Sequence, residues 1–86
     1  MNKEFKKILI TGGCSGIGRA LVDYFLNNNY KIGVFDFNKE LCNSLAEDTN
    51  GEVKTWFTDI SDPESVKESC LNAFADSFYP DILINN

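Results

Sequence analysis

The stretch ITGGCSGIGRA, residues 10–20, decides the fold of this chain. It follows the apolar run Ile8–Ile10 and precedes apolar residues at helical spacing, so it connects a strand to a helix. Four glycines stand within seven residues of this stretch, at positions 12, 13, 16 and 18. Glycine reaches backbone conformations that other residues avoid, and without a Cβ it lets a phosphate approach main-chain N–H groups. The stretch therefore predicts a phosphate-binding turn at the N-terminus of a helix.

The rest of the chain alternates between strand and helix patterns. Strands are predicted at residues 6–10, 31–36, 52–58 and 81–86, with a helix in each interval. The third helix begins near Pro63, where Ser61 and Glu64 have the spacing of a capping box. Strands that alternate with helices imply right-handed crossovers and a parallel sheet. The glycine-rich turn after the first strand is typical of a Rossmann-like, doubly wound α/β fold, and in such a fold four strands lie in order 3-2-1-4, with the third helix on the face opposite the first. We expect this arrangement here.

Charge and cysteine content narrow the function classes. Eight basic and thirteen acidic residues give a net charge of −5, which disfavours nucleic acid and anionic membranes as partners. No segment reaches the roughly 18 apolar residues of a membrane span. Because the chain has no histidine, neither a zinc site nor a His-based catalytic triad is expected. The three cysteines are far apart and indicate reduced thiols in a cytoplasmic protein, with Cys42 and Cys70 as core residues and Cys14 as a tolerated loop residue.

Three phosphate-binding patterns compete for the glycine stretch. The G-x-G-x-x-G fingerprint fails, because counting from Gly16 its last position is Leu21. The Walker A pattern has the right glycine spacing, but Arg19-Ala20 replace the lysine and hydroxyl residue that bind the terminal phosphates and magnesium. The pattern T-G-x-x-x-G-x-G fits without exception, through Thr11, Gly12, Gly16 and Gly18.

This last pattern resembles the classical short-chain dehydrogenase/reductase family, and further matches follow in the right order. Asp36 ends the second strand, Asp59-Ile60 follows the third, and residues 83–86 look like the start of the family's N-N-A-G motif. The resemblance implies a parent enzyme that transfers hydride between NAD(P) and an alcohol or carbonyl substrate. It also implies contacts to the nicotinamide dinucleotide from Gly12, Cys14, Ser15, Gly16, Ile17, Gly18, Asp36, Asp59, Ile60 and Asn86.

The catalytic part of the family pattern is missing from residues 1–86. The family's Tyr-x-x-x-Lys pair does not occur, because Tyr24, Tyr30 and Tyr79 all lack a lysine four residues later. We therefore expect the chain to be the N-terminal part of a single NAD(P)-binding Rossmann domain, with no catalytic residue and no activity alone. The full-length parent is expected to be able to form a homo-oligomer.

Several residues have a plainer alternative role. Asp36 would accept hydrogen bonds from the ribose hydroxyls of NAD and repel the 2′-phosphate of NADP, which favours NAD, although nearby Lys39 weakens that preference. In its plainer role Asp36 would cap the next helix. Asp59 could cap a turn and Ser15 a helix, Gly18 could serve close packing alone, and Asn86 could be frayed. The alternative function is a non-catalytic nucleotide-binding or regulatory module.

Overall fold

The computed structural model describes residues 6–86, which form four strands and three helices in strict alternation. The strands are β1 (Lys7–Thr11), β2 (Lys31–Asp36), β3 (Val53–Phe57) and β4 (Ile82–Ile84). The helices are α1 (Gly16–Asn27), α2 (Lys39–Asp48) and α3 (Pro63–Ala75). Within the described range, none of these helices has both the length and the apolar character that crossing a membrane requires.

All four strands are parallel and lie in the order β3-β2-β1-β4. In the centre of the sheet Ile8 of β1 is level with Ile32 of β2 on one side and with Ile82 of β4 on the other. The chain therefore builds the sheet outward from β1 to β3, then returns across β1 to place β4. This confirms the predicted Rossmann-like order 3-2-1-4.

The helices cover both faces of the sheet. On one face, α1 and α2 bury Val22 and Leu45 against alternate side chains of the central strands, in a cluster that also holds Ile8, Ile10, Ile32, Val34, Cys14, Cys42 and Val53. On the other face, Ala73 of α3 and the following Phe78 pack against Leu9 and Phe35. The two central strands thus have apolar side chains on both faces, as their continuous apolar runs require. The third helix lies opposite the first two, as expected.

Helix starts differ from the sequence prediction in one detail. The N-cap of α3 is Asp62, whose Oδ1 accepts a hydrogen bond of 3.1 Å from the Glu64 main-chain N–H. The predicted capping box between Ser61 and Glu64 is wrong, because Pro63 is the first helical residue and holds the residue before it in an extended conformation. Ser61 instead donates its hydroxyl to Asp59.

Candidate functional site

The glycine turn lies at the carboxyl end of β1, between the ends of β2 and β4. The two glycines Gly12 and Gly16 have φ values of +66° and +58°, a conformation that side chains with a Cβ rarely adopt. The Gly12 N–H donates to the Phe35 carbonyl at 2.8 Å and so extends the pairing between β1 and β2. In doubly wound sheets, the strand ends where the order reverses form the ligand crevice, and this turn occupies that position.

Two other glycines are required by close packing. A Cβ on Gly18 would lie 2.1 Å from the Gly12 carbonyl oxygen, and one on Gly13 would lie 2.7 Å from a Val34 methyl group. Gly16 is different, because a Cβ built there meets nothing within 4 Å. The missing side chain of Gly18 therefore lets helix α1 pack directly against the turn, which is the close-packing role considered for this glycine. Gly16, in contrast, borders open space.

The N-terminus of α1 points into the crevice. Ser15 is the N-cap residue, with an extended backbone (φ −151°, ψ 162°), but its side chain makes no capping hydrogen bond. Ser15 thus occupies the capping position considered for it, but its side chain makes no hydrogen bond to the helix N–H groups there. The first N–H groups of a helix have no partner within it and carry partial positive charge. Next to the open space at Gly16, with Ile17 75% exposed, this end of α1 can bind an anion.

The Asp36 carboxylate connects the end of β2 to the glycine turn. It is 9% exposed, and its Oδ2 accepts a hydrogen bond of 3.1 Å from the Cys14 main-chain N–H. Its Oδ1 accepts one of 2.9 Å from the Asn38 N–H. The N-cap of α2 is Asn38, so the alternative that Asp36 caps this helix is wrong. A carboxylate has about four lone-pair positions, which leaves two of them for a ligand.

The chain's last two residues lie beside the start of the turn. Asn86 donates its main-chain N–H to Thr11 Oγ1 at 3.0 Å and its side-chain Nδ2 to the Gly12 carbonyl at 3.2 Å. Thr11 Oγ1 also lies 3.3 Å from Asn85 Oδ1, to which it donates. Asn86 is therefore held by two hydrogen bonds rather than frayed. These bonds join the glycine turn that follows β1 to the Asn85-Asn86 pair that follows β4.

Asp59 and Ile60 occupy a more remote position, after the edge strand β3. Asp59 Oδ1 accepts hydrogen bonds from the Ser61 N–H at 3.0 Å and from the Ser61 hydroxyl at 2.6 Å, so the turn-capping role considered for Asp59 is present. Ile60 is 52% exposed. Asp59 borders a groove of about 410 Å³ that is also lined by Phe37 and Phe57. Sequence reasoning missed exposed Phe37, whose ring centroid lies 5.7 Å from that of Phe57.

Cys14 and Cys42 form a buried pair beneath the turn. Their exposed fractions are 5% and 3%, and their Sγ atoms are 3.6 Å apart. Cys14 donates to Cys42, whose thiol is 3.8 Å from the Asp36 carbonyl oxygen and donates to it. Burial, first of all, raises the pKa of both thiols, and the negative charge of Asp36 raises both further. The expectation that Cys42 is a core residue is confirmed. Cys14 lies in the turn, as expected of a loop residue, but its side chain is buried beside Cys42.

Comparison with known proteins gives consistent matches over the whole described range. A family model described as short chain dehydrogenase matches residues 6–86. The chain is 35% identical over 85 residues to 3-oxoacyl-(acyl-carrier-protein) reductase FabG of Chlamydia pneumoniae, a match that covers 94% of this chain and 34% of that protein. It is also 35% identical over 86 residues to cis-2,3-dihydrobiphenyl-2,3-diol dehydrogenase of Paraburkholderia xenovorans (strain LB400), covering 100% of this chain and 31% of that protein. The chain thus spans about a third of the length of these relatives.

A solved structure agrees with these matches. The 3-ketoacyl-(acyl-carrier-protein) reductase from Brucella melitensis, crystallised in complex with NADH, superposes with a TM-score of 0.83. The match has 27% sequence identity and covers 91% of this chain and 32% of that chain. Both the sequence and the backbone of residues 6–86 are therefore similar to one segment of longer reductases and dehydrogenases.

Proposed function

The chain belongs to the short chain dehydrogenase family, and on that premise we propose that it is the NAD-binding N-terminal part of an oxidoreductase. The full-length protein would transfer hydride between the nicotinamide ring and an alcohol or carbonyl substrate. The alternative, a non-catalytic nucleotide-binding module, has less support, because the relatives described above are named reductases or dehydrogenases. Residues 1–86 would form part of a single cofactor-binding domain.

One observation supports this proposal above all: the open space above Gly16 at the N-terminus of α1. Because a Cβ at Gly16 would meet nothing within 4 Å, a phosphate group has room to approach the main chain there. The N–H groups of Gly16, Ile17 and Gly18 lie in the first turn of the helix, where such groups lack partners within the helix. We assign the pyrophosphate of the dinucleotide to this place, with Ser15 at the entrance.

The adenosine ribose is assigned to Asp36. The two lone-pair positions that Cys14 and Asn38 leave free match the two hydroxyl donors of the ribose. A 2′-phosphate would bring negative charge to this carboxylate, which favours NAD over NADP. The residues that follow are uncharged Phe37 and Asn38, and the first basic residue after them is Lys39. Cys14 would contribute through its main-chain N–H, by orienting Asp36.

The remaining contacts belong to the two ends of the crevice. Asp59 and Ile60, beside the groove that Phe37 lines, are assigned to the adenine end. Asn86, beside Thr11 and Gly12, is assigned to the opposite end, toward the nicotinamide half.

When bound, the dinucleotide supplies the hydride donor or acceptor. The residues of this chain bind and orient it and perform no proton transfer, because no tyrosine here has a lysine four residues later. We accordingly propose that residues 1–86 alone are catalytically inactive, that proton transfer belongs to the rest of the parent protein, and that this parent is cytoplasmic and able to form homo-oligomers. The relatives act on differently named substrates, so no substrate is assigned.

The test is a titration of the purified chain with NADH, comparing Gly16→Ala with Gly51→Ala. Both glycines have positive φ (+58° and +78°) and open space at the Cβ position, so both substitutions introduce similar backbone strain. Only Gly16 lies at the proposed site. We expect Gly16→Ala to weaken NADH binding by roughly tenfold or more, a loss of about 1.4 kcal/mol, and Gly51→Ala to leave affinity unchanged. Equal affinity in the two variants would contradict the assignment of the pyrophosphate.

A further inference from the structure

We propose that Cys14, Cys42 and Asp36 form a buried binding site for a thiophilic divalent cation of the zinc type. The ligand atoms of these three residues lie within 4.8 Å of one another, and the two sulfurs are 3.6 Å apart. The residues are 22 and 28 positions apart in the sequence, so no metal-binding spacing revealed them. The fold creates the cluster by placing the glycine turn, the end of β2 and the first turn of α2 together.

The distances match tetrahedral coordination. With zinc–sulfur bonds of about 2.3 Å, two thiolates on one tetrahedral zinc ion are about 3.8 Å apart, and a carboxylate oxygen lies about 3.6 Å from each. The sulfur pair already has this spacing to within a few tenths of an ångström. The carboxylate oxygen lies within 4.8 Å of both sulfurs, so it must approach them by at most about 1.2 Å to reach tetrahedral spacing. Three protein ligands leave the fourth position to water.

The carboxylate is oriented as a metal ligand usually is. Each of its oxygens accepts one main-chain N–H, from Cys14 on one side and Asn38 on the other. Each oxygen keeps a lone pair for a cation. Such hydrogen bonds fix the direction of ligating carboxylates in known metal sites. At 9% exposure, Asp36 is also the least buried of the three residues and marks the side from which an ion would enter.

The ligand types select the metal. Two thiolates favour zinc, cadmium and copper(I) over magnesium or calcium, which prefer oxygen ligands alone. Binding exchanges the two thiol protons for the cation: Zn²⁺ enters, two protons leave to solvent, and no electrons are transferred. The cation's charge balances the two thiolates, so burial that disfavours a single thiolate does not disfavour the complex.

The site has a consequence for the proposed function. The cation would occupy one of the two free lone pairs of Asp36 that the adenosine ribose would use. Each ligand should therefore lower the affinity of the other by the same factor. This antagonism rests on the proposed function, whereas the metal site itself does not.

The test uses Co²⁺ alone as the probe, added to the reduced, metal-free chain without any dinucleotide. We expect one Co²⁺ per chain, with the visible d–d bands of a tetrahedral site and a thiolate-to-cobalt charge-transfer band, and we expect Zn²⁺ to remove both. The absence of these bands in the wild-type chain would overturn the proposal, whatever the variants do.

The third cysteine provides the matched control. Cys70 lies on α3, which packs on the opposite face of the sheet. Cys70→Ser should keep the cobalt spectrum, whereas Cys14→Ser and Cys42→Ser should lose the charge-transfer band while retaining the far-ultraviolet circular dichroism of the fold. If either of these two variants unfolds, Zn²⁺ should still raise the thermal midpoint of the wild-type and Cys70→Ser chains. Bands that survive in Cys14→Ser, or that vanish in Cys70→Ser, would overturn the site.

A second titration separates the metal site from the proposed function. NADH is titrated with and without saturating Zn²⁺, and we expect its affinity to fall at least tenfold when zinc is bound. If NADH fails to bind without zinc, the proposed function fails and the cobalt result stands. If NADH binds equally with and without zinc while cobalt shows the expected bands, the cation and the ribose do not share Asp36, and the proposed antagonism is wrong.

Discussion

Gly18→Ala perturbs the contact between helix α1 and the glycine turn most directly. The added Cβ would lie 2.1 Å from the Gly12 carbonyl oxygen and 2.8 Å from Asn86 Nδ2, whereas real Cβ atoms keep beyond 3.0 Å. Either α1 or the turn must shift, at a steric cost of about 3 kcal/mol. Alanine recovers about 1 kcal/mol through its higher helix propensity. We therefore expect a net loss of about 2 kcal/mol in the free energy of unfolding, or roughly 8–16 °C in Tm for a domain of this size.

Urea unfolding followed by the fluorescence of Trp56 measures this loss. Trp56 is the chain's one tryptophan and packs between Phe35 and Phe78, at centroid distances of 5.9 and 5.6 Å. The control is Ser44→Ala, at an exposed position of α2, which should change stability by no more than about 0.5 kcal/mol. If Gly18→Ala is as stable as the wild type, the close approach of α1 to the Gly12 carbonyl is wrong.

Three further outcomes are expected. Asp62→Ala should lower the free energy of unfolding by about 1 kcal/mol, because it removes the N-cap of α3. Ser61→Ala should change it by less than about 0.5 kcal/mol. A larger loss in Ser61→Ala than in Asp62→Ala, measured by urea unfolding, would make Ser61 the cap. With a chelator present, the chain should lose stability above pH 9, because burial raises the folded pKa of Cys14 and Cys42 above the ordinary 9.0. The contribution of the two protonated thiols to the free energy of unfolding is complete below pH 9. It falls by up to about 1 kcal/mol per thiol per pH unit as the pH rises toward the folded pKa. The double variant Cys14→Ala/Cys42→Ala should flatten this decline, and equal slopes in the variant and the wild type would contradict burial of the thiols as the cause. The isolated chain, mixed with NAD and a panel of alcohols, should show no reduction of NAD. The positioned acid–base groups that raise the reaction rate roughly 10²–10⁴-fold are missing from it. Turnover that disappears in Gly16→Val would contradict this expectation.

The fold could be predicted because its signals are local. The continuous apolar runs of β1 and β2 and the glycine turn between β1 and α1 identify a buried parallel sheet, and right-handed crossovers then leave few strand orders. The predicted cap of α3 is one residue too early, because Ser61 and Asp62 are both good caps and only the position of Pro63 within the helix decides between them.

The candidate site was only partly predictable, because much of it depends on contacts distant in sequence. The resemblance to short-chain dehydrogenases, together with its place at the end of β2, identifies Asp36 as a candidate, but its hydrogen bond to the Cys14 N–H depends on how the turn folds back over the strand. The 3.6 Å separation of Cys14 and Cys42 depends on the position of α2 on the sheet, which no spacing encodes. The packing of Gly18 against the Gly12 carbonyl likewise became visible only with the helix in place.

The most direct test of the account is the ratio of NADH to NADPH affinity in the wild-type chain and in Asp36→Asn. Asp48→Asn, at the exposed last residue of α2, removes the same charge away from the site and is the control. Circular dichroism checks the fold of each variant, because Asp36 also accepts two main-chain hydrogen bonds. We predict that the wild-type and Asp48→Asn chains bind NADH more tightly than NADPH. Asp36→Asn should lose roughly 10- to 150-fold in NADH affinity, equivalent to about 1.5–3 kcal/mol, and with it the preference. Tighter binding of NADPH than NADH by the wild-type chain, or an unchanged ratio in Asp36→Asn, would contradict the assignment of the adenosine ribose to Asp36.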